Sequence, residues 1–152
     1  IVGLRYFNVY GFNEFYKGKT ASMVIQLGHQ ILGGNAPKLF HGSEKIFRDF
    51  IFIDDVIQAN IKACSFSPGG IFNVGTSKPR SFQAIADILQ QELGTKMPTD
   101  YFINPYDGYQ MHTQANIDTS KKQLGFNPKI SLEDGIKSYV TEIKKLYKEA
   151  HD

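Results

Sequence analysis

A single cysteine, Cys64, stands in the 152 residues. That excludes an internal disulfide and any multi-cysteine metal site. Cys64 lies in an apolar helical run and reads as a small core residue. Histidine is sparse too. His29, His41, His112 and His151 show no metal-ligand spacing, so no metal is expected. No apolar run approaches the ~20 residues that cross a bilayer. No signal peptide is legible, and a cytoplasmic location is the expectation. Charge of either sign is balanced, at a net +2 with no dense Lys/Arg run, which argues against nucleic-acid binding. Lys121-Lys122 and Lys144-Lys145 read as solvated helix faces. Repeats, low-complexity segments and long linkers are missing. So are two motifs, G-x-x-G-x-x-G and a credible Tyr-x-x-x-Lys. Complete dinucleotide chemistry is therefore not expected of these residues.

What is there suits one domain with a real core: hydrophobic content of 41% and charged content of 21% are ordinary for a globular chain. Ile1 to Phe7 reads as a buried strand. Met23, Val24, Leu27, Ile31 and Leu32 recur at helical spacing within Ala21–Leu32, with a stop at Gly33-Gly34. Lys38 to Phe40 reads as a short strand, His41-Gly42-Ser43 as its turn, and Arg48 to Ile53 as a further strand. Asp54 or Asp55 caps a helix to about Phe66. Ile71 to Val74 is a buried strand closed by Gly75. Ser81 caps a helix to Leu93, with Phe82, Ile85, Ala86 and Leu89 on its packing stripe. Thr99 to Ile103 is a strand, Asp107 to Asn116 a loop or edge segment, and Thr119 to Leu124 a short helix. Ser131-x-x-Asp134 resembles a capping box that opens the last helix, Leu132 to about Lys148. The alternation predicts an α/β fold.

Three places carry chemistry. In Arg5-Tyr6-Phe7-Asn8-Val9-Tyr10-Gly11 the apolar run stops at Asn8. Ligands bind beyond the carboxyl ends of parallel strands, and an Asn there both donates and accepts; the plain alternative is an Asn-Gly type of turn. Lys17 is either an exposed loop lysine or an amine in a cleft that moves protons. Arg48 is either a partner of Asp49 or Glu44 in a surface salt bridge, or a bidentate ligand for a diphosphate.

"LRYFNVYG" with "KG" after it, "PKLFHGSEKIFRDFIFIDDV", "GIFNVGT", "SFQAIAD" and "YQMHTQA" resemble the extended short-chain dehydrogenase/reductases that act on nucleotide sugars. Within them, "KLFHGSEKIFRDF" together with "YQMHTQA" is similar to the ADP-glyceromanno-heptose 6-epimerase branch. The resemblance runs from about Gly3 to about Tyr139. It implies the C-terminal part of a Rossmann-like parallel sheet interleaved with a small α/β substrate-binding domain, one unit over residues 1–152. It also implies that the N-terminal dinucleotide-binding half lies outside this sequence. The implied reaction is NADP-dependent epimerisation of ADP-heptose at C6, feeding lipopolysaccharide core. NAD stays open, because the ribose-reading residues belong to the other half. Homo-oligomers, usually pentamers, are implied as well.

The resemblance also assigns residues. Lys17 falls on a second acid/base, Asn8 on a substrate contact, and Val9 on the wall of the nicotinamide pocket. Arg48 falls on a diphosphate contact, Phe40, His41, Gly42 and Ser43 on the segment holding the adenosine end, and Tyr109 on a substrate-contacting Tyr. Lys19, Gln26 and His41 depart from relatives that carry Ser, His and Glu at these substrate-facing positions. They leave the exact sugar open. A UDP- or GDP-sugar epimerase or dehydratase, or a non-catalytic dinucleotide sensor, are the alternatives.

Overall fold

Apolar spacing sorts the chain into two cores, and the computed structural model describes residues 1–151 of it. The elements run β1 (Val2–Tyr6), β2 (Asn8–Tyr10), α1 (Met23–Leu32), β3 (Lys38–Phe40), β4 (Phe47–Arg48), β5 (Phe50–Phe52) and α2 (Ile53–Cys64). There follow β6 (Gly70–Val74), β7 (Arg80–Ser81), α3 (Phe82–Leu93), β8 (Asp100–Phe102), α4 (Asp118–Leu124) and α5 (Leu132–Glu149). Short 3-10 segments cover Phe15–Thr20 and Ser43–Lys45. β1 pairs with β6, β2 with β5 and β3 with β8, all parallel; β4 pairs with β7 antiparallel. The α/β class with parallel strands is what the alternation predicts. Among the described residues, however, the strands form separate pairs and not one continuous sheet.

The larger core lies among α1, α3 and α5, with Leu27, Ile31, Ile85, Leu89, Ile136, Tyr139 and Ile143 at 2% exposure or less. Burying each such side chain contributes roughly 1.5–3 kcal/mol. Serine hydroxyls cap all three helices: Ser22 accepts from the Ile25 N–H, Ser81 from Ala84 and Ser131 from Asp134. Two glycines set the helix spacing. A Cβ on Gly28 would meet Ile143 Cγ2 at 2.9 Å, and one on Gly135 would overlap the Tyr10 hydroxyl, with Phe52 Cδ2 at 3.1 Å. The smaller core holds Ile51, Val56, Ala59, Phe72, Val74, Leu124 and Phe126, between α2, α4 and the β1–β6 pair. No helix among the described residues is long and apolar enough to cross a membrane.

Several expectations are corrected. The strand over Arg48–Ile53 is split at Asp49, because β4 and β5 serve different partners. Neither Asp54 nor Asp55 caps α2; Phe52 occupies that position, and the buried Asp55 carboxylate accepts from the Lys129 and Ile130 N–H groups. Cys64 is exposed at the end of α2 and is not a core residue. β1 is only half-buried: Ile71, on the face of the β1–β6 pair away from the core with Gly3, Arg5 and Asn73, is 61% exposed, and Tyr6, at the end of the core face, is 49% exposed with its hydroxyl donating to Asn60 Oδ1. Asn8 does not begin a turn: the chain changes partner at Phe7, so Phe7 N–H donates to Val74 O and Asn8 N–H to Asp49 O.

Candidate functional site

β2 is short but places two side chains on opposite faces, since successive strand residues alternate. Asn8 lines one cleft of about 570 Å³ with Arg5, Tyr6, Phe7, Asn73 and Thr113, beside the carboxyl ends of β1 and β6. Val9 lines another of about 330 Å³ with Gly11, Glu14, Lys17, Ile53 and Ile57. Lys17 therefore shares a cleft with Val9. Its side chain is exposed and enters no ion pair among the described residues.

The segment between β2 and α1 is tied down from within. Lys17 N–H donates to Glu14 O at 3.0 Å, and Thr20 Oγ1 donates to Lys17 O at 2.8 Å. Gln26 Nε2 donates to Ala21 O at 2.6 Å and, more weakly, to Lys19 O at 3.4 Å. Gln26 thus braces this turn with its amide N–H groups, leaving its carbonyl oxygen as the part able to take a ligand. Lys19 is exposed.

The remaining predicted residues gather around Arg48. Its guanidinium lies 5.3 Å from the Tyr109 ring and 5.6 Å from the Phe82 ring. Nη1 donates to Phe47 O at 2.8 Å, and Nη2 to Gln110 O. Asp49 and Glu44 are not its partners, so the surface salt-bridge alternative is removed. Asp49 is instead fully buried, accepting from Thr76 N–H and Oγ1, Ser77 N–H and Ala115 N–H. Four donors satisfy the carboxylate, as burial of a charge requires. Because Asp49 O also takes the Asn8 N–H, Arg48 and Asn8 are joined through one backbone connection.

Phe40 contacts Phe102, Tyr109 and Tyr106 at ring distances of 4.8, 5.3 and 6.4 Å, and His41 stacks on Tyr101 at 5.8 Å. Gly42 has φ 79, which favours glycine, and open space where a Cβ would stand. Ser43 is fully buried with no hydrogen-bond partner for its hydroxyl among the described residues. Phe40 to Gly42 and Tyr109 thus gather beside the largely buried Arg48 guanidinium and the buried Ser43, an aromatic and cationic cluster whose residue types suit a flat ring joined to phosphate. Sequence reasoning missed Tyr101, Phe102 and Tyr106 here, and Glu14 and Asp49 elsewhere. The aromatic density of "YFINPYDGY" was the available signal for the first three; the two buried acids left none. No cluster of His, Cys, Asp or Glu among the described residues has metal-holding geometry.

Comparison with known proteins bears on the family and the fold. Residues 1–75 match the NAD dependent epimerase/dehydratase family. The chain is similar to Helicobacter pylori ADP-L-glycero-D-manno-heptose-6-epimerase, at 46% identity and TM-score 0.87, over 94% of this chain and 44% of that one. It is similar to Thermotoga maritima UDP-glucose 4-epimerase, solved with UDP-glucose, at 30% identity and TM-score 0.84, over 94% of this chain and 45% of that one. It is also similar to a Bacillus cereus UDP-glucuronic acid 4-epimerase solved with a fluorinated UDP-sugar and NAD, at 28% identity and TM-score 0.83, over 97% and 46%. The chain spans a little under half the length of each.

Proposed function

We propose, from the match of residues 1–75 to the NAD dependent epimerase/dehydratase family, that this chain is the substrate-binding part of an ADP-heptose 6-epimerase. The reaction is interconversion of ADP-D-glycero- and ADP-L-glycero-D-manno-heptose at C6, with NADP as cofactor. The chain works with an N-terminal dinucleotide-binding half, in a cytoplasmic homo-oligomer, and serves lipopolysaccharide core synthesis. The observation that carries this reading is the cleft shared by Val9 and Lys17. Identity of 46% to an ADP-heptose epimerase, against 30% and 28% to two UDP-sugar epimerases, supports the choice of sugar.

The residues present fit a nicotinamide: Val9, Ile53 and Ile57 offer an apolar wall for the face of a planar ring. When bound, the cofactor supplies the redox chemistry at C6. This chain holds the substrate and manages protons. Arg48 grips the diphosphate, Phe40 and Tyr109 take the base, and Asn8 hydrogen-bonds the sugar. Lys17 exchanges a proton with the C6 oxygen on one face, opposite a tyrosine of the other half. An epimerase presents two faces in turn, and two proton carriers meet that need.

The test offers the complete enzyme pure ADP-D-glycero-D-manno-heptose and, separately, UDP-glucose, and follows each by NMR. Appearance of the L-glycero epimer is expected. Turnover of the UDP-sugar alone would move the protein to that branch, and dinucleotide binding without turnover of either would make it a sensor.

A further inference from the structure

Glu14 lines the Lys17 cleft yet has no part in the reading above. It is 3% exposed and enters no ion pair among the described residues. A carboxylate withdrawn from water needs compensating donors. Glu14 finds them at the two feet of the excursion that carries Lys17. Oε2 accepts from Ser22 N–H at 2.7 Å; Oε1 accepts from Ser22 Oγ at 2.7 Å and from Gly11 N–H at 3.4 Å. Gly11 follows β2, and Ser22 is the N-cap of α1. The same residue's carbonyl takes the Lys17 N–H. Glu14 is thus the one group that joins strand end, helix cap and the Lys17 peptide. Among the described residues the Lys17 side chain has no ion-pair or hydrogen-bond partner of its own to aim it.

We propose that Glu14 is a positioning residue for Lys17: its buried carboxylate cross-links Gly11 to Ser22 and so fixes the turn from which the amine reaches its substrate. The inference rests on Lys17 being the proton carrier. Its physical basis is that a misplacement of about 1 Å costs on the order of a hundredfold in rate, and a long flexible amine is placed only as well as its backbone. Glutamine at this position keeps shape but loses an acceptor. One of its terminal groups is an NH2, and the Gly11 and Ser22 N–H groups are both donors.

The test is a mutant cycle in the complete enzyme, combining Glu14→Gln with Lys17→Met. Glu14→Gln is expected to lower kcat about tenfold to a hundredfold with substrate KM near wild type. In the Lys17→Met background it should cost no further factor. Hydrogen exchange of the amides over residues 15–21 should quicken by about tenfold or more in Glu14→Gln. A merely structural role would lower activity by one factor in both backgrounds, and that result would overturn the proposal, as would unchanged kcat with unchanged exchange. Should Glu14→Gln not fold, Ser22→Ala serves in the same cycle, since it removes one of the two 2.7 Å contacts and leaves the acid in place. Near-wild-type rates in Lys17→Met would overturn the role of Lys17 itself. Loss in Lys17→Met with none in Glu14→Gln would overturn only the inference about Glu14.

Discussion

Arg48→Lys in the complete enzyme is expected to weaken binding of the nucleotide diphosphate by about tenfold to a hundredfold while the protein stays folded. A guanidinium carries five N–H donors in a fixed plane. In the structure one serves Phe47 O and another Gln110 O, and the rings of Tyr109 and Phe82 hold the group. Three donors are left for a ligand, enough for a two-pronged grip on phosphate oxygens. Lysine has three donors in all. Serving the two carbonyls leaves it one, so one charge-assisted hydrogen bond is lost, worth about 1.5–3 kcal/mol. At about 1.4 kcal/mol per tenfold, that is the stated range. Alanine is the poorer probe, because it also strips the donor from Gln110 O, while Phe47 O keeps the Thr113 N–H, at a residue that is only 7% exposed. Leaving that one carbonyl unpaired costs a further ~1–3 kcal/mol of stability. Calorimetry with ADP and with NADP, separately, reads the effect. The reasoning fails if folded Arg48→Lys binds ADP as wild type does, or loses NADP and ADP affinity equally.

Lys17→Met should fold, keep cofactor and lose about 10²–10⁴ in kcat; single-turnover assays on each pure epimer check this, and near-normal rates with both would discard the lysine as a catalyst. Gly135→Ala should destabilise the protein by about 1–3 kcal/mol, because a Cβ there overlaps the Tyr10 hydroxyl. Thermal unfolding should show a drop of about 2–12 °C, partly restored by Tyr10→Phe. His29 has its pKa pushed below its ordinary 6.5, by burial first and by the charge of His151 second. The folded state therefore binds fewer protons than the unfolded one in that window, so stability is full above pH 6.5 and declines as pH falls toward the lowered value. Denaturant titrations across this range should lose their slope in His29→Gln.

Helices were the legible part of this fold, because their signals are local. Phe82, Ile85, Ala86 and Leu89 recur at the helical period and are all buried, and Ser81 and Ser131 cap their helices as their chemistry predicts. Strand pairing was less legible. Nothing in "FRDFIF" states that Phe47–Arg48 pairs with Arg80–Ser81 while Phe50–Phe52 pairs with β2. Buried acids were illegible for a related reason. The donors to Asp49 lie 27, 28 and 66 positions away, so its burial is a property of the assembled chain.

The site divides along the same line. Around Arg48 the residue types are unusual for a loop: four aromatics fall within residues 101–109, and such a segment stands out by composition alone. Phe82 shows the limit of that approach. As a stripe residue it reads as core, and it is core, but one side of its ring also lies under the Arg48 guanidinium. Periodicity reports that a side chain is inward and is silent on what lies inside with it. Glu14 is the sharper case. A charged residue in a polar loop is solvent-facing by default, and the residues around it in sequence are the same whether it floats or anchors. Only the backbone route decides, by bringing Gly11 and Ser22 together around one carboxylate. Residues that touch a ligand can therefore be found by type. Residues that hold them in place are found by the donors that converge on them.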